Sequence, residues 1–102
     1  MVEVKWTDQA LKNLSEIAEY ISKDSVRSAE ITAAKLFSAP DILAQHPAIG
    51  RVVPEFNIKS IRQLVQGNYR IIYRVVSENE IHVLALHHIK RKLTRKIIRS
   101  RK

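Results

Sequence analysis

Residues 58–88 read "IKSIRQLVQGNYRIIYRVVSENEIHVLALHH", and this stretch decides the fold. Three apolar segments, "IKSIRQLV", "YRIIYRVV" and "IHVLALHH", are separated by the turn formers "QGN" and "SENE". Segments of this length, rich in β-branched and aromatic residues and bounded by such turns, are strands. The connections are too short for a crossover, so the three strands form an antiparallel meander. The middle strand carries two cations. Side chains on a strand alternate between faces. Tyr69, Ile71, Tyr73 and Val75 therefore share one face, and Arg70, Ile72, Arg74 and Val76 share the other. An arginine without a partner is costly to bury. The tyrosine face is thus expected to be covered and the arginine face open. On the first strand Lys59, Ile61, Gln63 and Val65 oppose Ser60, Arg62 and Leu64, and either choice puts a cation on each face. On the third, His82, Leu84, Leu86 and His88 oppose Ile81, Val83, Ala85 and His87. The expected open face gathers Arg70, Arg74, one of Lys59 or Arg62, and one or both of His87 and His88, in a cationic concavity.

Upstream, "HPAIGRVVPEF" (46–56) reads as a loop, with Pro47, Gly50 and Pro54 close together. Before it lie two segments with helical spacing. In "TDQALKNLSEIAEYISKD" the apolar positions are 10, 11, 14, 17, 18 and 21, with Thr7 or Asp8 as cap. In "SVRSAEITAAKLFSAPDILAQH" they are 26, 29, 33, 36, 37, 43 and 44, with Ser25 as cap. Pro40 cannot donate to the carbonyl of Leu36, so a kink or a break is expected there. At the start, "VEVKW" alternates as a short strand. Downstream, Ile89, Leu93 and Ile97 recur every four residues in "IKRKLTRKIIRSRK", which suggests a basic amphipathic helix. Residues 94–102 are expected to fray. The order is β-α-α-β-β-β. The fold class is α+β: one domain, with a helical hairpin packed on one face of a mainly antiparallel four-stranded sheet and a basic C-terminal helix or tail.

At 102 residues the chain holds one domain. It has no cysteine, which excludes disulfides, thiolate metal sites and cysteine nucleophiles. No apolar run approaches the ~18 residues of a membrane span. The start lacks a signal-peptide pattern, which fits a reducing, cytoplasmic setting. The formal net charge of +8 is polarised. Residues 1–50 balance to −2 and residues 51–102 to +10. Such asymmetry points to an anionic partner.

The chain resembles toxins of the RelE/ParE superfamily from bacterial type II toxin–antitoxin (plasmid stabilisation) modules. The resemblance rests on His-Pro-x-x-Gly-Arg at 46–51, "IRQL" at 61–64, "YRIIY" at 69–73, and an apolar strand ending in "HHIKRK" at 87–92. It covers residues 2–93, including the helical hairpin. It implies an antitoxin whose acidic segment folds over the toxin, and one of two targets. RelE-like members are ribosome-dependent endoribonucleases that cut mRNA; ParE-like members poison DNA gyrase without cleaving anything. By the resemblance, Arg70 matches the arginine that contacts the RNA phosphate in RelE-like enzymes. Arg91 or Lys90 matches the later basic residue after the last strand. The paired lysines of RelE-like enzymes are replaced by Ser60 and Arg62, and no tyrosine follows Tyr73. The pattern is closer to the ParE-like branch.

Metal-free RNA cleavage needs groups that move protons as well as cations that stabilise a phosphorane. Arginine stays charged, so His87 or His88 would have to serve. The nuclease reading therefore assigns Arg70, His88 and Arg91 as catalytic. The binding reading assigns Arg62, Arg70, Arg74, His87, Lys90, Arg91 and Lys92 to the target or the antitoxin. A structural alternative stands beside each. Arg70 could pair with Glu55 or Glu78, and one terminal histidine could cap the sheet while the other faces solvent. His46, His82, His87 and His88 lack metal-ligand spacing, and no cofactor is expected.

Overall fold

The computed structural model of the chain describes residues 1–99. Its elements are β1 (Glu3–Trp6), α1 (Asp8–Ser22), α2 (Val26–Ser38), a 3-10 helix (Ala39–Ala44), β2 (Arg51–Val52), β3 (Ile61–Gln66), β4 (Tyr69–Ser77), β5 (Glu80–His88) and α3 (Lys96–Arg99). The five strands form one sheet in the order β1-β5-β4-β3-β2. β1 runs parallel to β5, and the other pairings are antiparallel. The meander and the hairpin follow the sequence pattern. The fifth strand, β2, is two residues inside the segment read as a loop.

The caps fall where the side chains predict. Thr7 Oγ1 accepts from the Ala10 amide at 3.1 Å and donates to the Val83 carbonyl at 2.8 Å. One buried hydroxyl thus starts α1 and fastens it to β5. Ser25 Oγ accepts from the Ser28 amide and starts α2. Pro40 ends α2, and the chain continues as a 3-10 helix with the proline in its first turn. Gly67, with φ at +60°, opens the two-residue turn between β3 and β4, where a β-carbon would be strained.

The tyrosine face of the sheet meets the helices. Ala10 and Leu36 pack with Ile71, Val83 and Leu86, flanked by Leu14, Ile17, Leu64 and Tyr69. Leu43 closes over Tyr73 and Ile81. The opposite face, expected to be open, is covered. Val53 and Phe56 from the β2–β3 loop and Leu93 from the tail pack on Ile61, Ile72, Leu84 and Ala85, with Ile58, Ile97 and Ile98 alongside. The cause is the apolar content of that face. Ile72, Leu84 and Ala85 must be removed from water, and the loop and tail are the chain available to do it.

Two further expectations are corrected. Strict alternation fails on β5. The pairing with β4 shifts register at Ile72/Tyr73, where Ile72 faces Ala85 and Tyr73 faces Val83. This β-bulge puts Leu84 and Ala85 in the same core and turns Leu86 to the helix side. The tail is not helical from Ile89. It turns at Ile89–Lys90, continues without regular structure through Leu93, and forms only the short α3. Residues 100–102 of the expected frayed tail lie outside the described residues.

Candidate functional site

Arg70 lies on the face opposite the helices, as alternation requires, but it is not displayed there. It is 9 % exposed. Its Nη1 and Nη2 each donate to a Glu55 carboxylate oxygen at 2.7 Å, and its Nε donates to Gln63 Oε1 at 2.7 Å. Of its five donors, those three are spent on the loop and the neighbouring strand. A bidentate pair of this kind is among the strong hydrogen bonds. It holds the Glu55 carboxyl well below the usual carboxylate range, at about 2, mainly through the hydrogen bonds from Arg70. Arg74 shares the face and donates from Nη2 to the Ile98 carbonyl at 3.1 Å. The two guanidinium groups therefore fasten the loop and the tail that cover the sheet.

Arg62 goes to the other face. Its neighbours Ile61 and Gln63 point toward Arg74 and Arg70, so Arg62 points toward the helices. There its Nη1 donates to the Gly50 carbonyl at 2.9 Å. Tyr73 completes this loop anchor. Its buried hydroxyl accepts from the Gly50 amide and donates to the Pro47 carbonyl, both at 3.0 Å. Burial pushes the Tyr73 phenol above its ordinary pKa. A β-carbon on Gly50 would lie 2.5 Å from Tyr73 Oη and 2.6 Å from the Gln63 carbonyl oxygen. Gly50 is thus required by close approach. Much of the sequence pattern at 46–51, 61–64 and 69–73 turns out to build one loop.

The remaining candidates gather at the basic end of the sheet. His87 is in register with Arg70, and its Nε2 contacts the Arg91 carbonyl at 3.0 Å. A carbonyl only accepts, so Nε2 carries the proton and the neutral ring keeps its lone pair on Nδ1. His88 is the reverse. Its Nδ1 accepts from the Lys90 amide at 3.1 Å, so the neutral ring presents Nε2–H as a donor. His88 stacks edge-on against Tyr69, with ring centroids 5.3 Å apart at 83°. Lys90, Arg91 and Lys92 are exposed on the turn that follows. Between this turn and α1 lies a cleft of about 500 Å³, lined in part by Asn13, Ile17, Tyr69, Leu86, His88 and Arg91. Sequence reading found its strand side and missed its helix side. Asn13 and Glu16 carried no signal beyond being polar positions on α1.

The nuclease set Arg70, His88 and Arg91 is thus divided. His88 and Arg91 border the cleft on the helix side, and Arg70 is enclosed on the other. The binding set is also divided: Arg62, Arg70 and Arg74 are engaged internally, half-buried His87 lines the cleft, and Lys90, Arg91 and Lys92 are at the surface. His82 is paired with Glu80 at the far end of the sheet. That contact, and then the nearby Lys5, lower the pKa of Glu80.

Comparison with known proteins gives the family. The model of the ParE toxin of the type II toxin–antitoxin system parDE matches residues 4–93. Y4kP of Sinorhizobium fredii is 41% identical over 80 residues, covering 76% of this chain and 80% of that one. The toxin RelE2 of Caulobacter vibrioides is 32% identical over 91 residues, covering 89% of this chain and 99% of that one. A solved structure of the chromosomal ParDE system of P. aeruginosa superposes with a TM-score of 0.72 at 22% identity, over 88% of this chain and 98% of that one, and so shares the fold. With its hairpin-on-sheet architecture and a family match over most of its length, the chain belongs to the ParE toxin family of type II toxin–antitoxin systems.

Proposed function

We propose that this toxin is a ParE-like poison of DNA gyrase: it binds its target as a protein partner, cleaves nothing itself, and is neutralised by an acidic segment of its cognate antitoxin. One observation carries the choice between targets. Arg70, the residue that the nuclease reading needs at the scissile phosphate, is enclosed and bound on both Nη atoms by Glu55. Releasing it would leave a charge uncompensated under the loop. The sequence adds that no tyrosine follows Tyr73 and that Ser60 and Arg62 stand where the RelE-like lysines would be. The exposed cations Lys90, Arg91 and Lys92 then serve recognition, where complementary charge speeds encounter and selects the partner.

The ribosome-dependent endoribonuclease remains the second reading. It is supported by the lone pair on His87 Nδ1, a potential proton acceptor in register with Arg70, and by similarity to a relative named for RelE. The test is a supercoiling assay with purified gyrase, run beside primer extension on cellular messages after pulse expression. The gyrase reading expects arrested supercoiling with intact messages. Messages cut at codon-spaced positions, with supercoiling unaffected, would replace it with the second reading.

A further inference from the structure

The cleft beside His88 brings apolar side chains, N–H donors and charged groups of both signs together. Ile17, Leu86 and Tyr69 supply its apolar lining. Two N–H donors border it. Asn13 Oδ1 accepts from the Leu86 amide at 3.2 Å, which fixes the orientation of that side-chain amide. Its Nδ2 has no hydrogen-bond partner among the described residues. His88 Nδ1 is held by the Lys90 amide, so Nε2–H is the donor left over. Arg91 and Lys90 supply positive charge at the rim. Glu16, on the α1 wall, supplies one negative charge. That carboxylate disfavours a dianion such as phosphate. A planar monoanion can take the two N–H donors and sit near the cations without equal repulsion. We propose that the cleft is an anchor site for an acidic side chain of the antitoxin, seated with an adjacent apolar side chain of the same segment against Tyr69 and Ile17. The identity of the partner rests on the chain's being a toxin of this family; the carboxylate selectivity of the cleft does not.

The test uses the full chain and two probes of one shape, 3-phenylpropionate and 3-phenylpropionamide, followed by ¹⁵N-resolved NMR. The acid is expected to shift the Asn13 side-chain, Leu86 and His88 signals and to bind at least ten-fold more tightly than the amide. Asn13→Asp keeps the acceptor for the Leu86 amide, loses the donor and adds charge. It is expected to weaken the acid at least ten-fold, weaken the amide by a smaller factor, and weaken the cognate antitoxin at least ten-fold in a binding titration. Equal affinity for acid and amide, or shifts that avoid the cleft, would overturn the site. Unaltered antitoxin affinity in Asn13→Asp would overturn the partner. Growth arrest on expression, scored separately, reports on the toxin reading and leaves the result for the cleft standing.

Discussion

The side chains that most invited a functional reading are spent on holding chain segments in place. Arg70 illustrates this, and its pair sets a pH signature. The Glu55 carboxyl has its pKa lowered from about 4.5 to about 2 by folding. A depressed folded-state value means that the pair's stabilisation is complete above about pH 4.5 and is lost as pH falls toward 2. Glu55 is 39 % exposed, so screening reduces the effect. The expected loss is about 1–2 kcal/mol across that window, read by urea denaturation, and Glu55→Gln should flatten it. Tyr73 makes the second case. Tyr73→Phe leaves the buried Gly50 amide without its partner and should cost about 1–3 kcal/mol. Gly50→Ala should cost at least as much, because its β-carbon meets a backbone oxygen as well as the phenol. Both are measured by chemical denaturation. Alternation placed Arg70 on the correct face. Sequence reading offered Glu55 or Glu78 as its partner, and the structure selects Glu55, fifteen residues away in a loop whose path no local spacing encodes.

At the scale of elements, what was legible is what repeats. The 3.6-residue spacing of α1 and α2, the turns flanking β4 and the caps Thr7 and Ser25 are local signals, and the structure follows them. The bulge on β5 was not legible, since neither Leu84 nor Ala85 is a residue type that marks one. The coverage of the second face was hidden for a different reason. Val53, Phe56 and Ile58 are spaced irregularly around Pro54, and their role depends on the distant strand they fold across. Phe56 is 5 % exposed. Phe56→Ala is expected to lower stability by about 3 kcal/mol and to loosen the loop that carries Glu55. The loosening should appear as faster amide exchange at Val53, whose N–H donates to the Ile61 carbonyl and closes the loop. The 94–98 part of the tail, expected to fray, instead places Ile97 and Ile98 against the same core.

For the whole molecule, charge polarity remains the strongest sequence signal of function. Of the cations that sequence reading put forward, Lys90, Arg91 and Lys92 are exposed, whereas Arg62, Arg70 and Arg74 are engaged internally. Association with an acidic partner should slow about ten-fold or more between low and high salt, as for other steered encounters. Stopped-flow association across a salt series measures this. The central claim is that Arg70 maintains the architecture and takes no part in chemistry. Its most direct test reads urea stability and growth arrest together in Arg70→Met, Glu55→Leu and the double variant. Apolar replacement of both partners of an enclosed pair can restore what a single replacement loses. The expected result is that Arg70→Met loses stability and growth arrest together, while the double variant recovers both. A double variant as stable as the parent chain that never arrests growth would contradict the claim and return Arg70 to the reacting centre.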